Sequence, residues 1–485
     1  MIKTRIRHYL RLAGMIAGLP VLGVGQNPQN QPANQPTQAP VDNSVGVRTA
    51  PATAVSGIAV TQNEASSEDT SNQLPQIPAL LGGIGITPAF ITELERSNYL
   101  RGGVNVGAAY DDNPLLTPGG SVGNGSVSVF PNISVEQTFS RLRWSLGYAG
   151  GLTINQRFTS QNQGSHNLNF DSQYRLSPHV NLRVAEGFSL TTGFFDAGVG
   201  AQPVATAGGP NTSLIVPLAT ERASHTTVET NYHFALNDLV GASGSFYDLH
   251  FSNVPGQSAV QLENSQTATG SAFWLHHIFR SDWAGLSYRF ERLAFDGGET
   301  RVHSFFAVDT LNVAKRFTLN IFAGPQYAEN QVTIVNASQT ALEQSNNWAA
   351  AGGIEGGWQN LRTNLMGGYS RTVSDGGGIL GAVRLQNVYG AFRRELVPGW
   401  TVALNANHGS NLSLIVPSAT SANSIRITSA GVALERNVGR SIGLRVGYSH
   451  DFQQELFLGS NPTLDAHRNR AFITLSYEWA KPLGM

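Results

Sequence analysis

The chain has 485 residues, no cysteine, a formal net charge of −1 and only 13% charged residues. Soluble domains carry roughly 25% charged residues, so the composition argues against an ordinary soluble enzyme, and the near-zero charge against nucleic acid as a partner. Without cysteine there is no disulfide framework or thiolate metal site, and no run of about 18 apolar residues follows the leader, which excludes a bundle of transmembrane helices.

The first residues, MIKTRIRHYLRLAGMIAGLPVLGVGQ, combine a basic start (Lys3, Arg5, Arg7, Arg11), a short apolar stretch over 12–24 and small residues before Gln26. This pattern predicts a cleaved export signal over 1–25. Residues 26–78 are a Gln/Asn/Pro/Ser/Thr-rich tract, QNPQNQPANQPTQAP at its start. It has too few large apolar side chains to offset chain entropy and reads as a disordered periplasmic tail. Residues 79–98 are more apolar and serve as a linker or a small plug.

From residue 99 to 485 the apolar residues recur at every second position. In LRWSLGY, Leu142, Trp144, Leu146 and Tyr148 share one face and Arg143, Ser145 and Gly147 the other. FITLSYEW sets Ile473, Leu475, Tyr477 and Trp479 against Phe472, Thr474, Ser476 and Glu478. Period two with aromatic and β-branched residues predicts strands with one apolar face. Tight polar links fall near 140–141, 177–179, 236–238, 279–282, 314–316, 359–360, 397–399 and 437–440. Longer links fall near 111–123, 157–166, 195–224, 253–264, 294–299, 328–346, 372–382, 410–423 and 452–466. Alternating short and long links predict an all-β, antiparallel transmembrane barrel of about 18 strands, with 16 as the alternative. Trp144, Trp283, Trp358, Trp400 and Trp479 lie near the short-link end, as an aromatic girdle at one membrane interface requires. Trp274 and Trp348 fall elsewhere.

These features resemble Gram-negative outer-membrane barrel proteins of the porin type over about residues 99–480. A narrower stretch, VNVGAAYDDNPLL at 104–116, is similar to the opening of β-barrel porins associated with exopolysaccharide export. Unlike many such barrels, this chain runs on to KPLGM after its last aromatic strand. The resemblance implies an outer-membrane location and a channel for small solutes or glycan. Its partners would be membrane lipid, lipopolysaccharide and the barrel-assembly machinery; self-association stays open. The alternatives are a closed structural or export-associated barrel of a surface-polysaccharide system, and a lipid hydrolase at the barrel rim.

Strand parity turns Arg143, Asp171, Arg175, Arg183, Glu229, Arg289, Glu291, Arg301, Arg362, Arg445, Arg470 and Glu478 toward the lumen. An excess of arginine there favours anions; pairing across neighbouring strands would cancel it. Glu186 breaks the parity of its strand, and a bulge at Glu186–Gly187 would re-aim it. One octapeptide occurs twice, SLIVPLAT at 213–220 and SLIVPSAT at 413–420. The first copy lies in the longest predicted loop, which makes Leu214, Ile215, Val216 and Pro217 candidates for a constriction folded into the barrel. Packing against other loops, or contact with an apolar ligand, are the other readings.

No catalytic motif such as G-x-S-x-G or H-E-x-x-H occurs, and no cofactor or metal motif. His276 and His277 are adjacent, so on a strand they point apart. Asp111, Asp112 and Asn113 suit a divalent cation or a bridge to lipopolysaccharide, although an Asx-type loop start is the commoner use of such a cluster.

Overall fold

A computed structural model describes residues 98–114, 122–159, 162–192, 220–235, 237–252, 262–279, 282–312, 316–336, 339–376, 380–414, 422–439, 441–457 and 464–483. The regions 1–97, 193–219 and 415–421 lie outside this set, and with them the predicted signal, tail and plug, Leu214, Ile215, Val216 and Pro217, and most of both octapeptides.

Among the described residues there are eighteen strands in one antiparallel sheet. They are β1 (Tyr99–Asp111), β2 (Asn124–Thr138), β3 (Leu142–Asn155), β4 (Gln163–Arg175), β5 (Val180–Thr192), β6 (Thr220–Ala235), β7 (Asp238–Ser252), β8 (Ser265–Phe279) and β9 (Asp282–Phe295). The second half comprises β10 (Gly298–Asn312), β11 (Phe317–Asn336), β12 (Gln339–Asn360), β13 (Thr363–Gly376), β14 (Leu380–Val397), β15 (Trp400–Ser413), β16 (Ala422–Val438), β17 (Ile442–Phe457) and β18 (Leu464–Pro482). Each strand pairs with its neighbours in sequence, and β1 pairs with both β2 and β18, so the sheet closes on itself. Closure removes the terminal edges and pairs the backbone groups along the strands, the condition for a sheet surrounded by hydrocarbon; the ladder is interrupted where β12 and β13 part, beyond Gly352↔Arg371.

Seven of the eight short links fall where the sequence places them, and the eighth, expected at 359–360, lies at 361–362. Three of the nine long links are instead only two or three residues long between strand ends, at 296–297, 337–338 and 377–379. Strand ladders consume the residues read as loop, most of all in β11 and β12, whose hairpin is paired from Phe317↔Trp358 to Asn336↔Gln339.

Alternation gives the barrel inside-out polarity. The outward face carries half-exposed apolar side chains such as Val129, Leu146, Leu168, Leu286, Val388 and Leu475, the surface a barrel presents to lipid. Trp144, Trp358, Trp400 and Trp479 face outward near the short-link end, and Trp274 joins them, its indole N–H donating to Asp238 at 3.1 Å. Trp283 does not: it is turned inward and buried, in a cluster with Leu239, Phe273, Leu275 and Phe306. Trp348, 68% exposed, ends an outward row Phe290↔His303↔Tyr327↔Trp348 across four strands, an aromatic band toward the opposite end.

Glu186 also departs from expectation. Its strand pairs without a register shift, Glu186 facing Phe170 on one side and Thr226 on the other. No bulge re-aims it. The carboxylate stays on the outward face and accepts a hydrogen bond from the Thr226 hydroxyl.

The closing seam is fastened at both ends. Near the short-link end the Trp479 ring lies over Gly102, its register partner; a Cβ at Gly102 would meet the indole at 2.5 Å. At the other end Asp112 accepts from the backbone N–H of Asn469 at 2.7 Å and from its side-chain amide at 2.6 Å, and Asn113 donates to the carbonyl of His467 at 2.9 Å. The Asp111 carboxylate in turn accepts from the Asn113 N–H at 3.0 Å, so this motif joins the first strand to the last. Strand β18 runs to Pro482, and the residues after the last aromatic position extend the seam. Replacing Gly102 by valine should push the indole off the seam and destabilise the barrel by about 1–3 kcal/mol, the usual cost of overpacking. A lower temperature for loss of the fast-migrating folded band on gel electrophoresis would show it, and an unchanged temperature would refute it.

Candidate functional site

The inward faces of the strands divide the lumen into two sectors. Under β8–β11 most inward side chains are buried, and many are apolar: Phe273, Leu275, Leu293, Val302, Phe306, Val308 and Phe322. A side chain buried inside a barrel has other side chains across from it, so this sector is packed and dry. Under β1–β5 and the short-link ends of β17 and β18 the inward residues are mostly small or polar and keep partial exposure: Asn132, Ser134, Arg143, Asn167, Asn169, Gln173, Arg183 and Arg445. This second sector is the wet side of the lumen.

What fills the lumen is the β13–β14 hairpin. The ladder between β12 and β13 runs from Asn360↔Thr363 only as far as Gly352↔Arg371. Beyond it, β12 continues with β11 alone, and β13 parts from β12 and turns inward with β14, which stays paired to β15 as far as Val383↔Ser413. Val373, Ser374, Asp375 and Gly376 are then buried in succession, which no two-faced wall strand achieves. One face of the tip, through Val373 and Ala382, packs on Leu293, Val302 and Ala328 of β9, β10 and β11. The other, through Leu380 and Val383, packs on Ile425 and Ile427 of β16. Strand β14 thereby approaches β10, although three strands lie between them in the sheet. The Asp375 carboxylate comes within electrostatic reach of the buried Tyr247 hydroxyl on β7. The tip thus bridges opposite walls in the long-link half of the barrel. Lower down, the Tyr389 ring crosses Gly368, and its hydroxyl donates to the buried Glu355 carboxylate, tying β14 to β12 over a position where only glycine leaves room.

Ten of the twelve sequence-predicted lumen residues point inward on their strands, and most meet an opposite charge. Arg143 pairs with Glu136 at 2.5 Å. Arg183 lies between Asp171 at 2.7 Å and Glu229 at 3.5 Å. Arg445 reaches Glu435 at 3.5 Å, and Arg393 reaches the same carboxylate at 2.6 Å. Arg289 and Glu291 form a pair with side chains 1% exposed, deep in the dry sector. Arg175 and Glu478 sit toward the short-link end, and Arg470, buried, lies opposite Asp111 across the seam. Beside it Arg468 binds Asp451 at 2.8 Å and lies 3.9 Å from Asp111.

Two positions differ from the expectation. Arg301 faces outward, opposite Arg292, and both donate to Glu299, at 2.6 and 2.5 Å. The inner face of β10 is apolar, with Val302, Phe306 and Val308 packed in the dry sector, so equating apolar with lipid-facing inverts this strand. Arg362 sits in the turn after Asn360, exposed at the rim, because β12 runs through the predicted link at 359–360 and β13 starts only at Thr363. Sequence reasoning missed Glu136, Arg393, Glu435, Asp451 and Arg468; their inward parity was the available signal. The Arg-rich reading of the lumen gives way to pairs that largely neutralise each other.

Among the described residues no group of three or more His, Cys, Asp or Glu is placed to hold a metal ion. No protein-family model matches the chain, and no curated protein matches it. Solved structures with similar chain traces include OpdQ of Pseudomonas aeruginosa, 11% identical, covering 79% of this chain and 98% of that one at a TM-score of 0.42. OpdK of the same organism, with vanillate, is 12% identical and covers 79% and 99% at 0.41. The ferric citrate transporter FecA in its unliganded form is 9% identical and covers 80% and 80% at 0.44. The barrel assignment rests on the strand order and closure themselves, not on these likenesses.

The two kinds of ion pair should behave differently when one partner is removed. Glu291→Ala leaves the Arg289 guanidinium in the dry sector, which costs about 3–5 kcal/mol for a buried pair. Glu136→Ala on the wet side costs less, about 1–2 kcal/mol, since the Arg143 and Glu136 side chains keep 15% and 13% of their surface and water can take the place of the carboxylate. Denaturant midpoints of the two variants in detergent micelles check this; equal shifts would contradict the two-sector lumen.

Proposed function

We propose that this protein is a porin-like channel of a Gram-negative outer membrane, passing small polar solutes along the wet sector past the β13–β14 hairpin. The observation that carries it is the closed eighteen-stranded wall with an apolar outer belt and a polar, partly exposed lumen face over β1–β5. A barrel of this strand number is wide enough for an aqueous path unless something fills it. Here the hairpin and the dry sector fill a large share of the section, so the remaining path is narrow and eccentric. Paired charges along it predict weak selectivity between simple anions and cations, because each guanidinium sits beside a carboxylate.

The inward hairpin also favours a second reading, a barrel held shut until a partner or ligand displaces the tip. Export of a surface glycan is one setting for it; the stretch at 104–116 prompts that idea, although its Asp112 and Asn113 are engaged in the seam. Export through the inner membrane would rest on the signal over residues 1–25, and assembly on the barrel machinery.

Conductance in a planar bilayer separates the readings. The intact protein should give small, steady steps, and a version with residues 374–381 replaced by an Asn-Gly turn should give clearly larger ones. Silence in the intact protein with steps only after truncation would favour the gated barrel. Silence in both, with a folded protein by gel mobility, would overturn the channel reading.

A further inference from the structure

The hairpin carries two arginines that the pairing rule of the lumen does not cover. Arg371 and Arg384 lie on neighbouring strands in diagonal register, since Arg371 pairs with Gln386 and Val373 with Arg384. They are on the same face as Val373 and Ala382, the face turned toward the inner wall of β9–β11. Arg371 marks the last rung of the β12 ladder, so both guanidiniums flank the wedge where β12 and β13 part. The Arg371 guanidinium lies within electrostatic reach of Arg384. Arg143, Arg183, Arg289, Arg393, Arg445 and Arg468 each have a carboxylate. Among the described residues no carboxylate meets Arg371 or Arg384, and the Nε–H of each is buried without an acceptor. Both side chains remain partly exposed.

Two adjacent cations with buried, unused donors are costly on their own. The planar fork of each guanidinium matches the oxygens of a carboxylate or phosphate, and one anion between two forks would satisfy the donors and cancel the repulsion. We infer that Arg371 and Arg384 form an anion-binding site at the wedge between β12 and the inward hairpin, for a carboxylate- or phosphate-bearing molecule. In that site the anion bridges the two strands at the point where the hairpin turns inward. It therefore also braces the constriction. The site rests on the channel reading for its role in transport, but not for its existence. The same chemistry can come from a soluble anion reaching it through the lumen or from a phosphorylated lipid headgroup reaching it from the membrane side.

The test uses the refolded full chain in uncharged detergent, with inorganic phosphate as the probe and phosphorus NMR line broadening as the readout. Phosphate should broaden on the intact protein and sharpen on adding acetate. Arg371→Gln and Arg384→Gln should each weaken binding about tenfold or more, the usual loss for a charge-assisted contact. Arg371→Lys should keep only part of it, because the fork is gone. Arg426→Gln, an exposed arginine on the outward face of β16, should leave it unchanged, and gel mobility reports that each variant is folded. Displacement by phosphatidic acid doped into the micelles identifies the lipid source, and indifference to it the soluble source. Equal broadening in the intact protein and both glutamine variants overturns the site. Arginine-dependent binding in a protein that conducts nothing keeps the site and removes the channel reading. Steady conductance without arginine-dependent binding does the reverse.

Discussion

Everything in this molecule depends on one constraint, that hydrocarbon offers no hydrogen-bond partner to a peptide group. A sheet in that medium has to close, and here the closing pair is β1 with β18, the two strands most distant in sequence. The loop they close is almost the whole wall, and its entropy cost falls on this single seam. It is fitting that the seam carries specific fasteners: an indole seated on a glycine at one end, and an Asp-Asn clasp at the other.

A closed wall leaves the interior as the place where polar groups must be reconciled. The protein uses two solutions side by side. In one sector the inward side chains exclude water and pack as a globular core, with even an arginine and a glutamate buried against each other. In the other they stay wet, and charges pair loosely across neighbouring strands. The hairpin of β13 and β14 is what makes the difference, because its apolar tip gives the inner faces of β9–β11 and β16 something to pack on. Without it, Val302, Leu293, Ile425 and Ile427 would be apolar residues facing water, which is costly at roughly 25 cal/mol per Å².

The wall was legible in the sequence and the filling of the lumen was not. Alternation in segments such as Leu142–Tyr148 and Ile473–Trp479 is a property of one strand, readable without knowing its neighbours, and the short links carry their own polar signatures. Inward and outward are different: the sequence assigns them only if apolar side chains are taken as lipid-facing. That rule holds on β3, where the lumen is wet, and fails at Arg301 and Trp283, where it is dry. The inward course of Val373–Gly376 has no local mark either. Its burial comes from β9, β10, β11 and β16, all remote in sequence, and no spacing within TVSDGGGILGAV announces them. Arg371 and Arg384 are hidden for a related reason: by parity they face outward, and only the parting of β13 from β12 turns that face inside.

The seating of the hairpin has a consequence for the order in which the molecule is made. Its tip rests on β9–β11, which precede it in the chain, and on β16, which follows it. The cradle is therefore complete only when strands from both sides of the hairpin in sequence stand in the wall. Whichever strands pair first, the tip cannot take its final place until β9–β11 and β16 are both present. Narrowing of the passage is thus tied to completion of the wall around it, and no single hairpin of this barrel can restrict it alone.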